Sequence, residues 1–133
     1  MRRLKQMNNE AFLAFALAAV FFCGCHRTAA PSSMSIQCEF TPQPPQAGPV
    51  ILALKLSSSD AQPVTGAEIT LEGDMSHPGM APVFGEATEI GLGRYQGRLN
   101  FSMAGDWVIL AHIKLANGRR LEHQMNLRAI RPN

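Results

Sequence analysis

Cysteine is scarce in this chain and poorly placed for pairing. Of its three cysteines, Cys23 and Cys25 close an apolar run and Cys38 stands alone. If Cys23 leaves with a leader and Cys25 is acylated, Cys38 has no intramolecular partner, even in an oxidising compartment. The run from Ala11 to Phe22 has twelve residues, too few to span a bilayer and the right number for a signal-peptide core. Excess charge is missing too. The formal net charge of +2 belongs to Arg2, Arg3 and Lys5 set against Glu10, and residues 25–133 carry equal numbers of acidic and basic side chains. That balance argues against nucleic acid or an electrostatic membrane patch as a partner. No serine or cysteine sits with a plausible histidine base, and there is no phosphate-binding glycine loop. Asp106 beside Gly105 reads as a turn residue, so its approach to Asp74 is not read as a catalytic pair. An enzyme is not expected.

Three basic residues, the apolar run and then Phe22-Cys23-Gly24-Cys25 are similar to a bacterial lipoprotein signal, with small Gly24 before the cysteine that is cleaved at and acylated. Phe22 stands where leucine is more usual. Plain secretory cleavage near Ala29-Ala30 and an uncleaved N-terminal anchor are the alternatives. All three readings put the domain outside the cytoplasm, and the lipoprotein reading puts it in the cell envelope, membrane-anchored and facing the periplasm. The division that follows is a signal peptide over 1–24, a tether over 25–34 rich in small polar residues, and one domain over 35–133.

The domain has period-two alternation broken by turn residues, the pattern of an antiparallel β-sandwich of about seven strands. Ile36, Cys38 and Phe40 share one face of a first strand, Ser35 to Thr41. The proline-rich stretch Thr41 to Pro49 is a connection. Val50, Leu52, Leu54 and Leu56 point inward from a second strand. Ala67, Ile69 and Leu71 do so from a third, and Met75 and His77 continue that parity beyond its end. Phe84 to Ile90 alternates weakly and, with hydrophilic residues around Glu86 to Glu89, reads as an edge strand. Tyr95, Leu99, Phe101 and Met103 follow, then Trp107, Ile109, Ala111, Ile113 and Leu115. The last strand, Arg119 to Ala129, turns Leu121, His123, Met125 and Leu127 inward. A two-residue Asn117-Gly118 turn would mix apolar and polar faces across this final hairpin. A three-residue loop with Gly118 left-handed sets Ala111 opposite His123 and Ile109 opposite Met125, and is the register expected.

One stretch stands out against this scaffold. Gly73-Asp74-Met75-Ser76-His77-Pro78-Gly79-Met80 places two thioethers and an imidazole within six residues at a strand end. Met75 and His77 share a side of an extended chain, and Pro78-Gly79 favours a turn that brings Met80 back. Thioether sulfur and imidazole nitrogen suit a soft ion such as Cu(I). An immunoglobulin-like arrangement adds Met103 at the same pole, as fourth donor, with Met125 a layer below. Met103 and Met125 also have a packing reading. His123 reads as a buried or rim histidine with a satisfied hydrogen bond, His112 as a solvated outer residue, and Cys38 as a small buried hydrophobe.

Pro63-Val64-Thr65-Gly66-Ala67-Glu68-Ile69-Thr70-Leu71, Met75-x-His77-x-x-Met80, Gly91-x-Gly93-x-Tyr95 and Phe101-x-Met103-x-Gly105-x-Trp107 together resemble the YtkA-like domain, a family similar in outline to the FixH group of cytochrome-oxidase assembly proteins. The resemblance covers about Ala47 to Leu127. It implies an extracytoplasmic immunoglobulin-like β-sandwich, often a lipoprotein or part of a metal-transport assembly. Two functions follow. One is capture of Cu(I) by Met75, His77, Met80 and Met103 and its transfer to a partner, with Cys25 acylated and held in the lipid bilayer. The other is a metal-free module whose methionine loop docks on a membrane or efflux protein.

Overall fold

The computed structural model describes residues 33–133. The leader 1–24, the acylation position Cys25, His26 and most of the tether lie outside the described residues. Apolar–polar alternation becomes seven strands: β1 (Ser35–Thr41), β2 (Gly48–Ser57), β3 (Glu68–Met75), β4 (Val83–Gly91), β5 (Arg94–Phe101), β6 (Gly105–Lys114) and β7 (Arg120–Ile130). Every strand pairing is antiparallel, and the spatial order is β1-β2-β5-β4-β3-β6-β7. This is the four-plus-three strand arrangement of an immunoglobulin constant-type sandwich, with β1-β2-β5-β4 in one layer and β3-β6-β7 in the other. Here β4 also bonds to β3, so both layers belong to one continuous sheet folded over its core. At the opposite margin, the amide of Ala47 donates to the carbonyl of Arg131 at 2.8 Å and a parallel bridge joins Gln46 to Arg131, nearly closing the sheet.

The inward residues of β2, β3, β5 and β6 fill the space between layers. Leu52, Leu54, Leu56, Leu71, Leu99, Ile109 and Ile113 are all essentially sealed from solvent, and among the described residues no buried polar or charged residue joins them beyond Tyr95 with its hydroxyl. Phe101 and Trp107 meet across the layers with centroids 5.0 Å apart and planes at 54°, a tilted geometry that suits two ring quadrupoles. The Tyr95 hydroxyl donates to the carbonyl of Val64 at 2.8 Å and accepts from the amide of Ala67 at 3.1 Å. These bonds pin the β2–β3 connection to the core.

The final hairpin has the expected register, with Ile109 opposite Met125 and Ala111 opposite His123. Gly118 is left-handed at φ 83°, and its amide donates to the carbonyl of Leu115 at 2.8 Å. The inward side chains of β7 are only half-buried, because this strand is an edge of the sheet. Beyond a bulge opposite Asp106, Ile130 pairs with Gly105 and returns to the core at 3% exposure.

β4 corrects the reading of Glu86 to Glu89 as an edge. It is the middle strand of the seven, bonded to β5 and β3. Its inward positions are small, Gly85 and Ala87, because β5 and β3 approach too closely for larger groups. A β-carbon on Gly85 would overlap the carbonyl of Arg98, and one on Gly97 would lie 2.7 Å from Cδ1 of Leu71. The apolar alternation is therefore muted where the packing is tightest.

The ladders define two poles. The start of β1, the end of β2 and the β4–β5 turn lie together, since Ser35 pairs with Ser57 and Lys55 with Arg94. This proximal pole is where the chain arrives from its N-terminal segment. The ends of β3 and β7 and the starts of β4 and β6 lie at the distal pole, about 25 Å away along an eight-residue strand.

Candidate metal site at the distal pole

β3 ends at Met75 because its ladder ends there. Met75 is opposite Trp107, and the next amide, Ser76, makes a last bond to the carbonyl of Asp106 at 3.0 Å. Pro78 has no N–H, and it restricts the residue before it, so the extended chain cannot continue. The chain bends at Ser76 and His77, and His77 is exposed. This corrects the expectation that His77 keeps the inward parity of the strand: the bend carries it out.

Met75 is half-buried and packs against the core. Its methyl carbon lies 2.7 Å from where a β-carbon on Gly105 would be, so its side chain reaches under the β5–β6 turn. Met103 belongs to that turn. Its carbonyl accepts the indole N–H of Trp107 at 3.1 Å, which fixes the turn to the core, while its side chain stays 42% exposed and Met80 is 37% exposed. Exposure removes the packing reading for Met103. Met125, opposite Ile109, is half-buried against the core and keeps it.

Asp106 organises this pole. Its carbonyl holds Ser76, and its carboxylate Oδ1 accepts the amide of Ala129 at 2.7 Å. Thus one residue joins the end of β3, the start of β6 and the end of β7. The sequence reveals it only as a turn former beside Gly105. Met75, His77, Met80 and Met103 all belong to the elements gathered here. Among the described residues no three His, Cys, Asp or Glu side chains converge as a metal cage. A soft ion would therefore rely on thioethers with one imidazole, a donor set that selects Cu(I) over harder ions.

The other candidates lie elsewhere. His123 sits at the rim opposite Ala111, and its side chain has no hydrogen-bond partner among the described residues, contrary to the bond expected for it. Cys38 faces Leu54 across β1 and β2, half-buried against the core, and desolvation pushes its thiol up to about 11. Such a thiol stays protonated and is a poor ligand. His112 is on the outer face as expected but is held rather than merely solvated. Its Nε2 lies 2.9 Å from Glu72 and its Nδ1 3.1 Å from Glu122. The carboxylates occupy opposite edges of the ring, so one ion cannot use all three groups. The sequence signal for this bridge was the outward parity of His112 and Glu122 in paired strands, with Glu72 on the third.

Comparison with known proteins adds a family. No curated protein matches the chain. Among solved structures, the soluble domain of PmoD from Methylocystis sp. ATCC 49242 (Rockwell) aligns with a TM-score of 0.45 and 15% sequence identity, covering 74% of this chain and 92% of that one. The family model described as YtkA-like matches residues 28–112, a stretch that takes in the tyrosine, methionine–histidine and tryptophan motifs. With more than half of its length matched, the chain belongs to the YtkA-like family.

Proposed function

We propose that this protein is an extracytoplasmic lipoprotein, acylated at Cys25, that captures Cu(I) at its distal pole and passes it to a partner. Met80, His77 and Met103 supply exposed soft donors, and Met75 supplies a thioether held against the core. The observation that carries the reading is the pairing of Met75 with Trp107, which brings the Met75–Met80 segment beside the turn bearing Met103. The role is capture and hand-over, without bond-making chemistry, so accessible donors are an advantage: a partner can replace them one at a time. Competition titration of Cu(I) against a chromogenic chelator tests the proposal. Combining His77→Ala with Met80→Ala should weaken binding by at least about tenfold, roughly the loss of one good interaction. Unchanged affinity in that double variant would refute metal capture at this pole. Palmitate labelling that persists in Cys25→Ser would refute the anchor.

A second reading is supported by the exposure of Met80 and Met103 at the same pole. The distal loops would then form a metal-free docking surface, with thioethers giving adaptable contact to a membrane or efflux protein. Partner capture that resists chelators and is lost in Met80→Asp would favour it.

A further inference from the structure

The proximal pole carries an amphipathic surface that the metal reading does not use. The β4–β5 turn exposes Leu92 at 76%, and Ile90 just before it is 54% exposed. Isolated surface leucines are ordinary, but this one is displayed on a braced turn. The carboxylate of Glu89 accepts the amides of Gly93 at 3.2 Å and Gly66 at 2.9 Å. The carbonyl of Gly93 accepts the amide of Leu56 at 2.9 Å. Gly93 is left-handed at φ 67°, and a β-carbon there would strike Leu56 and Pro63.

Cations flank the apolar tip. Lys55 is directly opposite Arg94 in the β2–β5 ladder, a like-charge pair that is unfavourable in isolation. Both line one shallow depression with Ile90. Glu39 shares that depression, yet neither Lys55 nor Arg94 has an ion-pair or hydrogen-bond partner among the described residues. The same pole receives the chain from its N-terminal segment, at Ser35 beside Ser57. The even charge of residues 25–133 excludes a broad basic face, but an exposed leucine and isoleucine beside two cations without ion-pair partners match, locally, the interface of a bilayer with anionic headgroups.

We propose that the proximal pole docks on the surface of an anionic phospholipid bilayer, with Leu92 and Ile90 entering the interface and Lys55 and Arg94 meeting lipid phosphates. This contact is additional to the acyl anchor, and it turns the distal methionine–histidine pole away from the membrane. The inference relies on the anchoring proposal only for bringing the chain to the bilayer, and is independent of the metal. The two surfaces sit at opposite ends of the strands, so a docked domain keeps its distal loops free.

The test uses the full chain on vesicles of phosphatidylcholine and phosphatidylglycerol, with and without brominated acyl chains. Tryptophan is introduced as Leu92→Trp, or as Met80→Trp at the other pole, over the constant background of buried Trp107. Docking predicts that emission from position 92 shifts to shorter wavelength and is quenched by the brominated chains, while position 80 is not quenched. Lys55→Gln and Arg94→Gln should each lower the docked-to-free ratio about fivefold, as expected for one cation near an anionic surface. A chain that floats with the vesicles without quenching at position 92 overturns the docking surface and leaves the anchor standing. A wavelength shift without quenching means cover by protein rather than lipid and also overturns it, as does equal quenching at both positions. A chain that fails to float overturns docking and anchor together.

Discussion

Met75 lies directly opposite Trp107 in the β3–β6 ladder, and its methyl group fills the space that a β-carbon on Gly105 would need. The link between scaffold and candidate site passes through this contact. Gly105 has φ 135°, a conformation that side-chain-bearing residues rarely adopt. Gly105→Ala should destabilise the domain by about 1–2 kcal/mol in chemical denaturation, chiefly from backbone strain. Adding Met75→Ala removes the steric part alone, so the double variant should be less destabilised than the sum of its singles. Strict additivity would show that the two residues do not touch.

The centre of the sheet is more demanding. A side chain on Gly85 meets the backbone of Arg98, which cannot swing aside as a methionine tip can. Gly85→Ala should cost about 1–3 kcal/mol. Denaturation midpoints equal to the parent's would contradict the tight β4–β5 approach.

Alkaline pH should weaken the fold. Burial raises the Cys38 thiol from 9.0 to about 11, and desolvation, the largest cause, also raises Tyr95, with the amide of Ala67 opposing and Glu89 adding to it. Both groups are favoured neutral in the folded state. Their contribution is therefore complete below the unfolded values and is lost as pH rises through the folded ones. Stability should fall from about pH 9 to 11, and less so in Cys38→Ala. At pH 8 the folded protein should alkylate slowly at Cys38, as peptide mapping can show; rapid labelling would contradict the burial.

The outer-face bridge gives a control. His112 and Glu122 are substantially exposed and Glu72 partly so, and such pairs typically contribute ~0–1 kcal/mol. His112→Gln should change stability by less than about 1 kcal/mol and leave Cu(I) affinity untouched, unlike His77→Ala. A large fall in Cu(I) affinity for His112→Gln would move the site to the outer face.

Much of this was legible from residues. Period-two alternation located the strands, and matching apolar faces across Asn117-Gly118 gave the β6–β7 register correctly. An immunoglobulin-like arrangement, rather than parity, set the end of the third strand beside the start of the Trp107 strand, where Met75 pairs with Trp107. Legibility failed where side chains are small or where the chain leaves its ladder. Gly85 and Ala87, the small inward residues of β4, give little apolar signal, so a central strand looked like an edge. The bend before Pro78 broke the parity of His77, and the bulge opposite Asp106 hid Ile130. The Asp106 hub has no short-range signature, since its partners are remote in sequence, and of the His112 bridge only the Glu122 half follows from the hairpin register, Glu72 being forty residues away.

X-ray absorption at the copper edge of the Cu(I)-loaded protein tests the central claim most directly. The account predicts coordination by both sulfur and nitrogen, with sulfur diminished in Met80→Ala and nitrogen lost in His77→Ala. A copper environment identical in the parent and both variants would contradict it.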